Sequence, residues 1–344
     1  MKTVRFGILG CGKIGTRHAA KLQQVDGAKL VAVCDIVPER AEALAKQYGA
    51  RAYTTPEDFL NDAEIDFVNV CTPSGLHAEH AIAALEHGKH VLCEKPMALT
   101  VADAERMRDA AKKADRMLFV VKQNRHNPPV AFTKRLMKEG KLGEPLFGTV
   151  TVVWNRNDDY YASDAWRGQK ALAGGAIYTQ ASHFVDLLLM FLGEPKAVYS
   201  VMDSKNPKIE TDDVGVVAAR FKNGALGSFN YTMHGTDKNH EGSLTLIFKD
   251  GTVKIGGEYL NTLEYFQVHD VPKPDLGEAA EANDYGTYKG SMSNHHKVFE
   301  DIVRVWNEPG AEHNLVDATE GIDTVRFIEN AMRSAETGKV VYYD

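Results

Sequence analysis

A doubly wound parallel α/β domain, followed by an α+β domain built on a large, mostly antiparallel, open-faced sheet, is the fold class this sequence predicts. Three observations predict it. Over residues 1–122 short apolar runs alternate with helical periodicity, the pattern of βαβ crossovers around a sheet covered on both faces. Beyond Asn127-Pro128-Pro129 the apolar runs instead follow one another across short Asn-Gly and Asp-Gly turns, the pattern of hairpins. The length of 344 residues suits about two domains of ~150 residues, each able to bury a core. The boundary is placed between residues 122 and 123, giving domains of 1–122 and 123–344.

In the first domain, Val4–Leu9, Leu30–Cys34, Phe67–Cys71, His90–Leu92 and Leu118–Val121 read as buried strands, with a weaker one at Arg51–Tyr53. Helical patterns lie between them at Ile14–Val25, Pro38–Tyr48, His77–His87 and Val101–Lys113. Ala41, Leu44, Ala45 and Tyr48 fall at i, i+3, i+4 and i+7, one helical face. Thr100 with Asp103 is a variant of the capping box, and Gly88 a helix stop. In the second domain Leu146–Trp154 reads as a strand, and a loop rich in Asn, Asp, Tyr and Arg follows to Gln169. A helix over His183–Phe191 ends at Gly193-Glu194-Pro195. Two hairpins follow, Val214–Phe221 with Ala225–Met233, and Ser243–Phe248 with Thr252–Ile255. Val271–Lys289 reads as loop, and Asn294–Trp306 and Val316–Ala335 as helices.

Composition narrows the function classes. Lys+Arg 40 against Asp+Glu 47 gives a formal charge of −7, which argues against a nucleic-acid or membrane-surface binder and leaves room for a small anionic ligand near local arginines. No apolar run reaches the ~18–20 residues of a membrane span, and Met1–Arg5 leads directly into a strand pattern, so the chain is expected to be cytoplasmic. The four cysteines, Cys11, Cys34, Cys71 and Cys93, each end an apolar run and form no Cys-x-x-Cys, so they read as packing residues rather than a metal site.

The first concentrated chemistry is Gly10-Cys11-Gly12-Lys13-Ile14-Gly15, directly between a strand and a helix. Glycine serves there for a tight turn, for close approach of backbone to a pyrophosphate and for close helix–strand packing, while the helix N-terminus offers N–H groups and a positive dipole end. Asp35 lies 20 residues after Gly15, at the end of the second strand. A carboxylate there accepts both ribose hydroxyls and repels a 2′-phosphate, and Ile36-Val37-Pro38 supplies no arginine, so NAD is expected in preference to NADP. The segments Thr72-Pro73-Ser74-Gly75-Leu76-His77 and Glu94-Lys95-Pro96 leave the carboxyl edge of the sheet, where ligands of open α/β sheets bind. In the second domain Gly174-Gly175 leads through Thr179 and Gln180 to His183, with Asp186 at i+3 placed to orient the imidazole. Taken alone, a histidine beside Phe184, Val185 and Leu187 reads as a core residue.

Together these segments resemble the Gfo/Idh/MocA family of sugar and inositol dehydrogenases over essentially the whole chain: the glycine fingerprint, the TPSGLH loop, Glu94-Lys95-Pro96 and the GG…H segment before an antiparallel sheet. The resemblance implies a Rossmann domain binding NAD through Gly10, Gly12, Lys13, Ile14, Gly15, Asp35, Thr72, Pro73, His77, Glu94, Lys95 and Gln123. It makes Lys95, before a proline whose peptide bond is often cis, the active-site lysine, and His183 its histidine. His183 would take the hydroxyl proton while Lys95 stabilises developing alkoxide; as a coupled pair, either could receive the proton.

Within the family, Phe119–Arg125, Tyr160-Tyr161…Ala165-Trp166-Arg167-Gly168 and Gln180-Ala181-Ser182-His183 look most like the dehydrogenases that oxidise C3 of UDP-N-acetylglucosaminuronate on the way to 2,3-diacetamido sugars of surface polysaccharide. That likeness implies a UDP-linked uronate bound by Lys95, Asn124, Arg125, Tyr160, Trp166, Arg167, Thr179, Gln180 and His183, with Arg156 and Tyr161 as further candidates. It also implies a pyridoxal-phosphate aminotransferase acting on the product. Thr179 departs from the Asp that many family members carry there and from the Asn of the uronate dehydrogenases, so no carboxylate base is available at that position. An NAD-dependent dehydrogenase of a free polyol is the alternative enzyme, and a non-catalytic NAD-binding regulator the alternative from another class. Val214–Phe221 is apolar at both alternating sets of positions, so its sheet is expected to be covered in a homo-oligomer, tetramer or dimer.

Overall fold

The computed structural model describes residues 2–277, 281–286 and 288–343. The chain divides into two compact units, 1–123 with 294–325 and 124–293 with 326–344. The sequence placed a single cut after residue 122; in the structure the chain also returns to the first unit at residue 294. The reason is the apolar face of the helix His295–Asn307. Val298, Phe299, Ile302 and Val303 join the core built on the first strands, and the Phe299 ring meets Phe6 edge-on at 5.4 Å.

The first unit is built on β1 (Val4–Leu9), β2 (Ala28–Cys34), β3 (Arg51–Tyr53), β4 (Phe67–Val70), β5 (His90–Cys93) and β6 (Leu118–Val120). They pair in parallel in the order β6-β5-β4-β1-β2-β3, and the two-residue strand Val316–Asp317 adds antiparallel to β6. This order reverses between β1 and β4, the switch point at which the carboxyl ends of strands open a ligand crevice. Helices start where the side chains dictate: Thr100 accepts a bond from Asp103 N–H at 3.1 Å, and Pro38 opens the helix Pro38–Tyr48.

The second unit is an eight-stranded sheet. In chain order its strands are β7 (Pro145–Val153), β8 (Pro195–Asp203), β9 (Val214–Phe221), β10 (Leu226–Thr232), β11 (Glu241–Phe248), β12 (Gly251–Gly256) and β13 (Thr262–Val268). They lie in the order β13-β12-β11-β7-β10-β9-β8, with Val341–Tyr342 beyond β8. All pairs are antiparallel except β7 with β10. The buried helix Ser182–Leu192 packs on one face against β7, β10 and β11. Leu192 lies where a Cβ on Gly148 would sit.

Both expected hairpins form. The strands Pro195–Asp203 and Thr262–Val268 were not anticipated, because β8 opens on a proline and β13 carries the irregular exposure of an edge strand. The stretch to Gln169, read as loop, holds a one-turn helix, Asp158–Ala162, capped by Asn157 accepting from Tyr160 N–H at 3.1 Å. Within Val271–Lys289, also read as loop, Ala282–Asp284 pairs with Lys289–Met292; residues 278–280 and 287 lie outside the described residues. Among the described residues no single helix is long and apolar enough to cross a membrane.

Candidate active site

The cofactor half begins at the turn after β1. Gly10 has φ +100°, and a Cβ there would lie 2.8 Å from the Cys71 carbonyl carbon; a Cβ on Gly15 would lie 1.9 Å from Gly10 O. These two glycines let strand, turn and helix close up. Gly12 has open space where its Cβ would stand, the cradle a pyrophosphate needs. The helix Lys13–Leu22, in which Ile14 and Gly15 form the first turn, starts with no side-chain cap and no acidic residue in that turn, so its positive end favours a phosphate. Asp35 is held by two backbone donors, Cys11 N–H at 2.7 Å and Val37 N–H at 2.9 Å. Its remaining lone pairs suit a ribose diol.

The loops after β4 and β5 are tied together by His77. Its ring nitrogens face Pro96 O at 2.7 Å and Thr72 O at 2.9 Å, and the residue is buried. His77, expected to contact cofactor, is therefore engaged in holding the two loops that carry Thr72, Pro73 and Lys95. Thr72 Oγ1 pairs with His80 Nδ1 at 3.0 Å.

Glu94 is likewise buried, and its two oxygens are engaged within the unit. Oε1 meets His18 Nε2 at 2.8 Å, and Oε2 accepts from the Lys95 backbone N–H at 3.0 Å. Burial pushes its carboxyl up, but the His18 bond and the nearby positive charges win and hold it at about 2. Its ligand atoms and those of His18 and His295 lie within 4.8 Å of one another. Burial, then His18, drives His295 down to about 3. The cluster is an ionised carboxylate that fixes the main chain bearing Lys95, before a cis Lys95–Pro96 bond. Sequence reasoning missed His18 and His295, whose approach to Glu94 is a tertiary event.

The second unit carries the remaining candidate residues. The turn of 3₁₀ helix Gln123–His126 begins at its edge, with Gln123 buried in the first unit. Asn124 is buried, and neither amide atom has a protein partner among the described residues. A buried amide left so costs about 1–3 kcal/mol, which a ligand relieves. Arg125, expected at substrate, is instead spent: Nε and Nη2 donate to Asp186 at 2.9 and 2.8 Å, with both side chains buried. The same fork takes the Asp186 carboxylate that the i+3 spacing assigned to His183. Thr179 also turns inward, its hydroxyl donating to Gly175 O at 2.9 Å. His183 is buried in the first turn of Ser182–Leu192.

Tyr160, Trp166, Arg167 and Gln180 lie together. Gln180 Nε2 donates to Tyr160 OH at 2.7 Å, and its Oε1 accepts from Arg156 Nε at 2.7 Å. The Arg156 guanidinium lies over Trp154, Tyr160 and Tyr288 at 5.0, 5.3 and 4.8 Å; that of Arg167 lies over Tyr160 and Trp166 at 4.2 and 5.1 Å. Arg167 Nε pairs with Asp164 at 3.1 Å. Among the described residues Arg156 bonds only neutral acceptors, Gln180, Asn239 and the carbonyls of Asn155 and Lys289. Among the described residues the box thus carries two guanidiniums and one paired carboxylate, an excess of positive charge walled by aromatic rings. Tyr288 was missed because it sits in a stretch without periodicity.

The chain is similar to known proteins over most of its length. Residues 4–122 match the model of the oxidoreductase family with an NAD-binding Rossmann fold, and residues 130–254 match the GFO/IDH/MocA C-terminal domain. Myo-inositol 2-dehydrogenase of Thermotoga maritima is 32% identical over 258 residues, 72% of this chain and 75% of that protein. Among solved structures, the WlbA dehydrogenase of Bordetella pertussis in complex with NADH and UDP-GlcNAcA has a TM-score of 0.89 and 34% identity, covering 100% of this chain and 99% of that one. The WlbA dehydrogenase of Chromobacterium violaceum, bound to the same two molecules, has a TM-score of 0.89 and 33% identity, covering 100% and 97%. The chain belongs to the Gfo/Idh/MocA oxidoreductase family and is an NAD-dependent dehydrogenase of a sugar or polyol.

Proposed function

We propose that the substrate is UDP-N-acetylglucosaminuronate and that the enzyme oxidises its C3 hydroxyl to the ketone. The observation that carries this reading is the pair of guanidiniums, Arg156 and Arg167, largely buried in an aromatic box where Asp164 is the one carboxylate paired with them among the described residues. A neutral polyol gives such a site nothing to neutralise, whereas a diphosphate or uronate carboxylate does. The two WlbA structures, which hold UDP-GlcNAcA, support the same choice. The inositol dehydrogenase relative supports the other, a free polyol.

NAD, when bound, supplies the hydride acceptor. Gly10, Gly12 and the start of Lys13–Leu22 hold its pyrophosphate, and Asp35 its ribose. His183 accepts the proton of the oxidised hydroxyl, and Lys95 stabilises the oxygen as negative charge develops. Asn124 and Gln180 bond sugar hydroxyls, Trp166 and Tyr160 supply flat surface, and Arg167 takes the anionic end. Thr179 supports the backbone.

The test is NADH formation with NAD and either UDP-N-acetylglucosaminuronate or myo-inositol, coupled to a pyridoxal-phosphate aminotransferase and glutamate to draw off the keto product. Turnover of the uronate with none of inositol is expected; the reverse result withdraws the nucleotide-sugar reading and leaves the family assignment intact. Arg167→Ala should raise KM for the uronate by about 10–100-fold, the equivalent of a charged hydrogen bond of about 1.5–3 kcal/mol. KM for NAD should stay unchanged, and an unchanged uronate KM would remove Arg167 from the site.

The exposed face of the eight-stranded sheet is assigned to self-association. In β9 Gly215, Val217, Ala219 and Phe221 are buried while Val216, Ala218 and Arg220 are exposed. Tyr199 and Val201 of β8, Leu226 of β10 and Tyr265 of β13 are also exposed. Apolar side chains in such number mark an association face. Sedimentation should find a dimer or tetramer that Val216→Arg dissociates; a wild-type monomer at every concentration contradicts this.

A further inference from the structure

We infer that Asp212 is a positioning residue: its carboxylate and its own carbonyl pin the short helix Ala176–Thr179, and that turn sets Gln180 and His183. The inference rests on reading His183 as the proton acceptor. Asp212 lies just before β9, outside every motif that marks the site, and does nothing in the chemistry itself.

The geometry is specific. Asp212 O accepts from Ala176 N–H at 3.1 Å, and Oδ2 accepts from Ile177 N–H at 3.1 Å and from Tyr231 OH at 2.5 Å. The helix has only four residues, and its N-cap, Gly175, has no side chain to bond its first N–H groups. Asp212 does so from another part of the chain. Gly175 sits at φ +132°, and a Cβ there would lie 2.0 Å from Asp212 Oδ1, so the carboxylate occupies the space that the glycine leaves. Tyr231 is itself seated against Gly215, where a Cβ would come within 2.5 Å of its ring.

From this anchor the bonds run without a gap toward the candidate residues. Gln180 N–H and Ala181 N–H donate to Ala176 O at 2.9 and 3.1 Å, and Phe184 and Val185 N–H donate to Ala181 O at 2.9 and 3.2 Å. Gln180 and His183 therefore take their positions from the turn that Asp212 holds. Oδ1 is buried and has no hydrogen-bond partner among the described residues, and burial, outweighing the bonds from Tyr231 and Ile177, pushes the carboxyl up to about 6.

The experiment compares steady-state kinetics of Asp212→Ala, Asp212→Asn and His183→Ala in the full-length enzyme, on whichever of the two substrates it turns over. Displacing the acid–base segment should lower kcat of Asp212→Ala by about 10–100-fold, as misplacements near 1 Å do. KM for NAD should stay within about twofold, since the cofactor half is a separate unit. Asp212→Asn should recover most of kcat, because an amide oxygen accepts the same two bonds. Wild-type kcat in Asp212→Ala, or an Asn variant no better than the Ala variant, overturns the inference. If Asp212→Ala does not fold, Tyr231→Phe decides: it removes one donor and keeps the ring, so a severalfold loss of kcat is expected and an unchanged kcat overturns. Full activity of His183→Ala would instead overturn the reading of His183, so the two failures are told apart.

Discussion

Replacing Lys95 or His183 by alanine should lower kcat by about 10²–10⁴-fold, the range of a positioned acid–base group. In the structure each residue is held by its surroundings. Lys95 stands on a main chain held by the ionised Glu94 carboxylate, which His18 fixes in turn. That arrangement fixes where the ammonium starts and leaves its direction to a single side chain. His183 is buried at the head of a helix whose following residues, Phe184, Val185, Leu187 and Leu188, are all buried too, so the ring has little freedom. The proton-transfer step should suffer in both variants, and in His183→Ala KM for NAD should stay nearly unchanged, because the glycine turn and Asp35 remain intact. Single-turnover measurement of NADH formation isolates that step. A kcat within about threefold of wild type for either variant would remove that residue from the chemistry, a loss well below the usual contribution of such groups.

Arg125→Ala or Asp186→Ala should destabilise the second unit by about 3–5 kcal/mol, the usual result of leaving one partner of a buried ion pair alone. The pair is forked, 2.9 and 2.8 Å, with the two side chains 4% and 3% exposed. It joins the segment leaving the first unit to the helix that bears His183. Removing both charges together, as Arg125→Met with Asp186→Leu, should restore much of the loss, because the desolvation cost of each ion disappears with it. Urea unfolding of the three variants measures this directly. A loss under about 1 kcal/mol in the single variants would mean that solvent reaches the pair and that the fork is ordinary surface pairing.

The legible part of the site was the part written in short, contiguous segments. The fingerprint from Gly10 to Gly15 needs only a strand, three glycines and a helix start, all within one stretch of chain, so the cofactor turn could be read directly. Asp35 followed from its distance along one βαβ unit. Tyr160, Trp166, Arg167 and Gln180 were found together because three of them lie in one loop. Arg125 and Thr179 show the limit. An arginine beside a candidate motif looks the same in sequence whether it meets a substrate or, as here, Asp186. A threonine hydroxyl likewise bonds its own turn when Gly175 O lies 2.9 Å away.

Legible in the residues alone were the parallel sheet, the hairpins of the second sheet, the strand–turn–helix that suits a dinucleotide, and the candidate lysine and histidine. These depend on periodicity and on local turn chemistry, which act between near neighbours. That His77 ties loops, that Glu94 is organised by His18, that Arg125 belongs to Asp186 and that Asp212 reaches the glycine turn becomes visible in the folded chain alone. Each of these is a polar group whose partner lies far along the chain. Burial obliges such a group to find a bond, but which partner it meets depends on how the chain packs, which no local pattern states.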